Sequence, residues 1–139
     1  MIKTKINRLI GQFLESKLVE FIFIFLIRVD YLNFKGSKIF VKNLDHKNFI
    51  RIFFSYYESA EIKLIKKYFN PYLPTIDLGS GIGVTMCTFA QNAKNKIFCV
   101  EASKFCVKQL KINIKKNNFQ NFTVLNKLFF SQKNINNKN

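Results

Sequence analysis

The chain has 139 residues, a formal net charge of +15 and 48% hydrophobic residues. This length fits one domain or part of one, and the hydrophobic content is high enough for a packed core, which excludes intrinsic disorder as the default interpretation. His46 is the single histidine, so a histidine-based zinc site or a Ser-His-Asp triad has little material. Cys87, Cys99 and Cys106 form no C-x-x-C pair, so we expect buried thiols, no metal site and a reducing, cytoplasmic setting.

Residues 1–33 are predicted to form an amphipathic and then fully apolar helical segment. Apolar residues recur at helical spacing from Ile2 onward, and the run from Phe21 to Ile27 is apolar on every side. This run is too short to cross a bilayer, which requires about 20 residues. We favour packing of the segment on the rest of the domain. A peripheral contact with a membrane surface is the alternative.

Residues 34–74 are predicted to hold a β-hairpin and a helix that precede the core. Lys38 to Lys42 and Phe49 to Phe54 have strand-like composition, and the polar segment from Asn43 to Asn48 between them predicts the turn. Ser59 to Phe69 has apolar residues at helical spacing and is followed by prolines, so it predicts a helix that ends there.

The most informative stretch runs from Thr75 to Gly83 and reads T-I-D-L-G-S-G-I-G. A short apolar strand that leads through an acid into closely spaced glycines is typical of the turn in a nucleotide-binding βαβ unit. The dinucleotide fingerprint G-x-G-x-x-G fails at Val84, which would have to be Gly or Ala. Asp77 would also repel a pyrophosphate, whereas it suits the sulfonium and ammonium groups of S-adenosylmethionine (SAM). The turn therefore favours SAM over NAD; a tight turn without ligand, capped by Asp77, is the alternative.

A second acid follows the next predicted strand. Lys96 to Val100 is apolar and ends beside Glu101, eighteen residues after Gly83. An acid at this place can accept hydrogen bonds from two ribose hydroxyls of a nucleotide. The alternative is an ordinary acid at a helix start, favoured there by the helix dipole. The helix that joins the two strands is predicted over Val84 to Ala93.

The positive charge is concentrated toward the C-terminus, because the chain from Ala102 to Asn139 holds eight lysines and no acid. Ser103 is a good N-cap for a helix that runs to about Asn117, and Phe122 to Leu125 predicts a third strand. We favour a solvated helix face over an anionic membrane surface, and nucleic acid is unlikely because no known nucleic-acid module is recognisable. In this helix Cys106, Leu110 and Ile114 would face the core, and Lys104, Lys108, Lys111 and Lys115 would lie outside.

The stretch from Tyr57 through Asn126 resembles the FkbM-type family of SAM-dependent methyltransferases. The residues that carry the resemblance are Y-E before a helix, then I-D-L-G-S-G-I-G-V, C-V-E, an L-x-x-N helix (Leu110 and Asn113) and N-F-T-V-L-N. The resemblance implies a Rossmann-like α/β fold with SAM as cofactor, in which residues 75–130 form a partial SAM-binding core truncated after about the third strand. Residues 131–139 are expected to form a polar tail.

The resemblance also implies which residues hold the cofactor and what is methylated. Glu101 would hold the ribose and Asn126 would contact the adenine. A small-molecule or saccharide oxygen would accept the methyl group, but the strands that carry the acceptor groups lie beyond the third strand, so no catalytic residue is assigned. A half-domain that a partner chain completes is the alternative, since a partial sheet leaves the strand of Asp77 at an edge. The residues implied for the methionine side are Asp77, Gly79, Gly81 and Gly83, and Ser80 between them is also implied to bind the cofactor.

Overall fold

The structure is a computed structural model that describes residues 29–128, and the chain divides into two compact units between Phe69 and Asn70. The predicted helical segment over residues 1–33 lies almost entirely outside the described residues, as does the tail over residues 131–139. Where the first of these predictions can be compared, it is wrong, because residues 31–33 belong to a strand. Within residues 29–128, no helix is both long enough and apolar enough to cross a membrane.

The first unit begins with a tight antiparallel hairpin. Lys35 and Gly36 form its turn, and both have positive φ, at 47° and 88°. Such a two-residue turn matches the twist of the flanking strands, and the side-chain oxygen of Asn33 accepts a hydrogen bond from the Gly36 N–H at 3.1 Å. The elements of this unit are β1 (Tyr31–Phe34), β2 (Ser37–Phe40), α1 (His46–Phe53) and α2 (Ser59–Tyr68).

The prediction of a strand over Phe49 to Phe54, and of a hairpin across residues 43–48, is wrong. This stretch belongs to α1, which begins after Asp45, whose carboxylate accepts a hydrogen bond from the Asn48 N–H at 3.1 Å. Ile50 and Ile52 are fully buried, and their alternating spacing resembles that of a strand. The Asp45 N-cap is the sequence signal that distinguishes the helix. The predicted helix after Ser59 is confirmed as α2.

The second unit is a three-stranded parallel sheet with a helix in each connection between strands. The strand order is β3-β4-β5, and the register places Asp77 opposite Cys99 and Glu101 opposite Asn126. All three predicted strands are confirmed, and the Rossmann-like α/β architecture with them. The elements are β3 (Thr75–Leu78), α3 (Val84–Ala90), β4 (Ile97–Glu101), α4 (Lys104–Lys116) and β5 (Phe122–Asn126).

The edge strand β3 is more exposed than its neighbour β4. In β4, Ile97 and Cys99 lie on one face and are fully buried, and Val100 on the other face is also buried. Ile76 and Leu78 point to the other face of β3 and are 66% and 63% exposed. Parallel sheets are normally covered on both faces. In the described part of the chain β3 pairs only with β4, so the strand of Asp77 lies at the sheet edge, as the sequence predicts.

Helix α4 is rotated slightly from its predicted orientation. Leu110 faces the core as expected, but Cys106 and Ile114 are only half-buried. The buried face also includes Val107 and Asn113. Hydrophobic periodicity missed this because it assigns an asparagine to the surface. The predicted exposure of Lys104, Lys108, Lys111 and Lys115 is confirmed.

Candidate cofactor-binding site

The glycine-rich turn connects β3 to α3 at the carboxyl end of the sheet. Gly79, Gly81 and Gly83 have φ values of 79°, 53° and 80°, which glycine adopts at little cost. The turn folds back onto the end of β4, because the N–H groups of Gly79 and Ser80 both donate to the Val100 carbonyl, at 2.8 and 3.1 Å. The local sequence therefore dictates a sharp turn fixed to the neighbouring strand.

The three glycines meet different surroundings. A Cβ atom on Gly83 would overlap the side chain of Leu110, so this position is required for close packing of the turn on α4. A Cβ atom on Gly79 or Gly81 would meet no atom within 4 Å. The backbone at these two positions therefore borders open space, where a ligand can approach closely.

Glu101, at the end of β4, lies under the turn. Its Oε2 accepts a hydrogen bond from the Gly81 N–H at 2.9 Å, and its Oε1 accepts one from the Ser103 N–H at 2.7 Å. Ser103 is the N-cap of α4, with its hydroxyl accepting from the Cys106 N–H at 3.3 Å. Glu101 thus joins the turn to the start of α4, and each carboxylate oxygen has further lone-pair capacity.

Asn126, at the end of β5, is the neighbour of Glu101 across the sheet. Its Nδ2 donates to the carbonyl oxygens of Glu101 and Ala102, at 2.8 and 2.9 Å. These two bonds use both N–H groups of the amide, so its oxygen provides the chemistry left for a ligand, as an acceptor. The structure therefore brings Glu101 and Asn126, the residues predicted to contact the ribose and the adenine, side by side at the carboxyl ends of β4 and β5.

Ser80 contacts both Asp77, at the end of β3, and Cys99, opposite Asp77 on β4. The Ser80 hydroxyl donates to the Asp77 carbonyl at 3.0 Å. Burial raises the pKa of the Cys99 thiol to about 12; a hydrogen bond with Ser80 opposes this shift, and the charge of Asp77 adds to it. Burial, reinforced by Cys99, also raises the pKa of Cys87 to about 12. Both thiols are therefore neutral packing groups at neutral pH rather than nucleophiles.

Asn113, to which the hydrophobic pattern of the sequence assigns no structural role, supports the same turn. Its side chain is fully buried, and its Nδ2 donates to the Ile82 carbonyl at 2.9 Å. Leu110, one turn earlier in α4, occupies the space beside Gly83. The L-x-x-N pattern in the sequence was the available signal, because both of its residues hold the glycine-rich turn.

The hydrogen bonds of the turn bear directly on ligand chemistry. The N–H groups of Gly79 and Ser80 are taken by Val100, that of Gly81 by Glu101, and that of Gly83 by the Ser80 carbonyl at 2.8 Å. A phosphate cradle requires such N–H groups to point at the ligand. These four N–H groups are therefore not available to a phosphate, and the carboxyl end of the sheet also carries oxygen acceptors, on Glu101 and Asn126. No group of three His, Cys, Asp or Glu side chains among residues 29–128 is arranged to hold a metal ion.

Comparison with known proteins identifies similar folds among solved structures. No family model and no curated protein matches the chain. Among solved structures, aTrm5 in complex with tRNALeu matches with 21% identity and a TM-score of 0.54, over 70% of this chain and 27% of that chain. Trm5b from Pyrococcus abyssi matches with 18% identity and a TM-score of 0.54, over 71% of this chain and 28% of that chain.

A third structure, the YcgJ protein from Bacillus subtilis, matches with 19% identity and a TM-score of 0.43, over 48% of this chain and 29% of that chain. The chain therefore spans less than a third of the length of these structures. The likeness to the two Trm5 structures shows the fold, which is a Rossmann-like α/β fold.

Proposed function

We propose that the chain binds SAM at the turn between β3 and α3 and forms the cofactor-binding half of a SAM-dependent methyltransferase. The observation that carries the proposal is the hydrogen bonding of the turn. Its N–H groups at Gly79, Ser80, Gly81 and Gly83 are already bonded within the protein, so they cannot cradle a pyrophosphate. SAM carries no phosphate, and its cationic and hydroxyl groups require acceptors.

The acceptors at the sheet edge match the parts of SAM in order. The Asp77 carboxylate, at the end of β3, would attract the positively charged methionine portion. The open space beside Gly79 and Gly81 would admit it. Glu101 would accept hydrogen bonds from the ribose hydroxyls while keeping its bonds to the backbone, and the Asn126 oxygen would accept from the adenine amino group. Bound SAM supplies an activated methyl group, and these residues bind and orient it.

Two of the residues implied by the family resemblance have an indirect part in this proposal. Gly83 allows α4 to pack closely against the turn, because the missing Cβ leaves room for the side chain of Leu110. Ser80 fixes the turn through its bond to the Asp77 carbonyl. Both act by positioning the residues that touch the ligand.

For the reaction, we propose FkbM-type O-methylation of a small molecule or saccharide, on the strength of the sequence resemblance. A second candidate is a noncatalytic SAM-binding half-domain that a partner chain completes. The exposure of Ile76 and Leu78 on an edge strand favours it, because a parallel sheet normally has helices over both faces. Methyl transfer requires the acceptor to be positioned against the methyl group. The described residues form the cofactor side of such a site, and no residue among them is assigned to the acceptor.

The test is thermal unfolding of the chain with and without S-adenosylhomocysteine, the product form of the cofactor. Binding at a hundredfold excess over the dissociation constant stabilises the folded chain by about 2.7 kcal/mol. Glu101→Gln should abolish most of the rise in unfolding temperature that S-adenosylhomocysteine causes, because the side-chain amide donates a hydrogen bond where the carboxylate accepted one. Glu61→Gln removes an exposed acid of α2 and is the matched control. An equal shift in both variants would refute the assigned site.

A further inference from the structure

The exposed face of α4 carries a continuous row of positive charge. Lys104, Lys108, Lys111 and Lys115 are all exposed. At 3.6 residues per turn they fall within an arc of about 60° and extend over about 16 Å. No acid occurs in the chain after Glu101. Among the described residues, the salt bridge lies in the first unit and joins Lys42 to Asp30, so it does not involve these lysines. We call these four lysines the lysine row.

An aromatic side chain flanks this row. Phe105 is 50% exposed, although a phenylalanine on an amphipathic helix is normally packed inward. It follows Lys104 directly and lies one turn before Lys108 on the helix surface. An exposed aromatic ring beside cations is the combination by which proteins hold single-stranded nucleic acid, with the ring stacking on a base and the cations on phosphates.

The opposite face of α4 argues against a membrane as the partner. Val107, Leu110 and Asn113 are buried in the second unit. A helix that lies in a membrane interface inserts its own apolar face among the lipids, and in α4 that face is occupied by the protein core. What remains outside is charge and a single ring, which suits a flexible polyanion.

We propose that the lysine row and Phe105 form a binding surface for single-stranded nucleic acid. The lysines contact successive phosphates, and Phe105 stacks on one base. The surface lies outside the cofactor-binding turn, so the proposal stands or falls separately from SAM binding. The sequence alone disfavours nucleic acid because it contains no recognisable nucleic-acid module, whereas the exposure of Phe105 beside the lysine row favours it.

The experiment measures fluorescence anisotropy of a labelled single-stranded RNA of about 15 nucleotides, a length within the usual site sizes. The test variant carries Lys104→Gln, Lys108→Gln, Lys111→Gln and Lys115→Gln. The control removes the same charge from exposed lysines of α1 and α2, through Lys47→Gln, Lys63→Gln, Lys66→Gln and Lys67→Gln. A third variant, Phe105→Leu, removes the ring without changing charge.

The wild-type chain should bind with a steep salt dependence. Each phosphate contact contributes about 0.7 to the slope of log affinity against log salt, so the test variant should lose about 3 from this slope and the control should lose little. Phe105→Leu should weaken binding by about 5-fold to 100-fold at unchanged slope. Circular dichroism and thermal unfolding should show that all variants fold.

Three results would overturn the proposal. One is absence of RNA binding by the folded wild-type chain. Another is an equal loss of slope in the test and control variants, which would mean that net charge alone attracts the RNA. The third is tighter binding to vesicles of phosphatidylserine and phosphatidylcholine than to the RNA, with the same dependence on the lysine row, which would identify a membrane surface instead.

Discussion

Gly81 and Glu101 are 20 residues apart in the chain, and the N–H of Gly81 donates to the Glu101 carboxylate at 2.9 Å. This bond joins the turn after β3 to the end of β4. It gives Glu101 a structural role in addition to the proposed ligand contact, because the same carboxylate accepts from the Ser103 N–H at the start of α4. Cofactor binding and turn stability are therefore coupled through one side chain.

Loss of the Glu101 carboxylate should destabilise the chain even without ligand. Glu101→Ala removes two hydrogen bonds to backbone N–H groups and should lower the free energy of unfolding by about 1–3 kcal/mol. Glu101→Gln keeps one acceptor oxygen and should cost about half as much. Urea denaturation of the ligand-free chain measures both. Unchanged stability in Glu101→Ala would contradict the bonding described for the turn.

Alanine at Gly79 and at Gly83 should have different effects. Gly83→Ala combines a strained positive φ, about 1–2 kcal/mol, with overlap on Leu110, typically 1–3 kcal/mol, so a loss of about 3 kcal/mol or more is expected. Gly79→Ala has the φ strain alone and should remain folded, but its methyl group occupies the open space beside the turn. Denaturation and S-adenosylhomocysteine binding should both be measured.

The informative result is how the loss of S-adenosylhomocysteine affinity compares with the loss of stability in each of these two variants. Gly79→Ala should lose ligand affinity out of proportion to its loss of stability. A folded Gly79→Ala chain that binds S-adenosylhomocysteine as tightly as the wild type would mean that the ligand does not pass beside this glycine.

Removal of the Asn113 side chain should loosen the turn from α4. Asn113→Ala leaves the Ile82 carbonyl without its buried donor and opens a small cavity, at a cost of about 2–3 kcal/mol. Asn92→Ala, at an exposed position after α3, is the control and should cost less than about 0.5 kcal/mol. Similar losses in both would show that the bond to Ile82 contributes nothing measurable.

Much of the second unit could be predicted from sequence, and the reasons are local. The strands at Thr75, Ile97 and Phe122 are short apolar runs bounded by clear turn or capping residues, and the positive φ of the glycines follows from their spacing. The bond from Gly81 to Glu101 could not be foreseen, because strand register decides it and no periodicity reports register across a helix.

The errors also have physical causes. In α1, Ile50 and Ile52 alternate like strand residues, while the Asp45 N-cap determines the helix. In α4, Asn113 is polar by type and buried by its bond to Ile82, so a hydrophobic pattern places the inner face wrongly. The cofactor roles of the turn residues remain predictions.

The cysteines should differ in reactivity. Cys106 is half-buried, whereas Cys87 and Cys99 are fully buried. In the folded chain, iodoacetamide should therefore modify Cys106 well before the other two, as mass spectrometry of the intact and digested protein would show. Equal rates for all three in the native chain would contradict this burial, with the urea-unfolded chain as the reference in which the rates converge.

Stability should fall at alkaline pH because of the same two thiols. Burial raises the pKa of Cys87 and Cys99 to about 12 in the folded chain, above the ordinary value. The contribution of these raised pKa values to the free energy of unfolding is thus fully present below about pH 9. It is lost as the pH rises toward 12, by up to about 1.4 kcal/mol per pH unit for each thiol. Replacement of both by alanine should flatten this part of the curve, and an unchanged slope would rule the thiols out.

Polar substitution on the exposed face of β3 should be tolerated. Ile76→Lys and Leu78→Lys place charge where the side chains are mostly exposed, so the free energy of unfolding should change by less than about 0.5 kcal/mol. The same changes should reduce aggregation at high protein concentration, because charge on an edge strand opposes strand pairing. Light scattering measures the second effect. Large destabilisation would show that this face is covered in solution.

Calorimetric titration of the wild-type chain with S-adenosylhomocysteine, beside a matched titration with NAD⁺, tests the central claim most directly. The hydrogen-bonded turn and the acceptors at the sheet edge predict saturable binding of S-adenosylhomocysteine at micromolar concentration and no heat from NAD⁺. Binding of NAD⁺, or no binding of S-adenosylhomocysteine by a chain shown to be folded, would contradict the assignment of this turn to SAM.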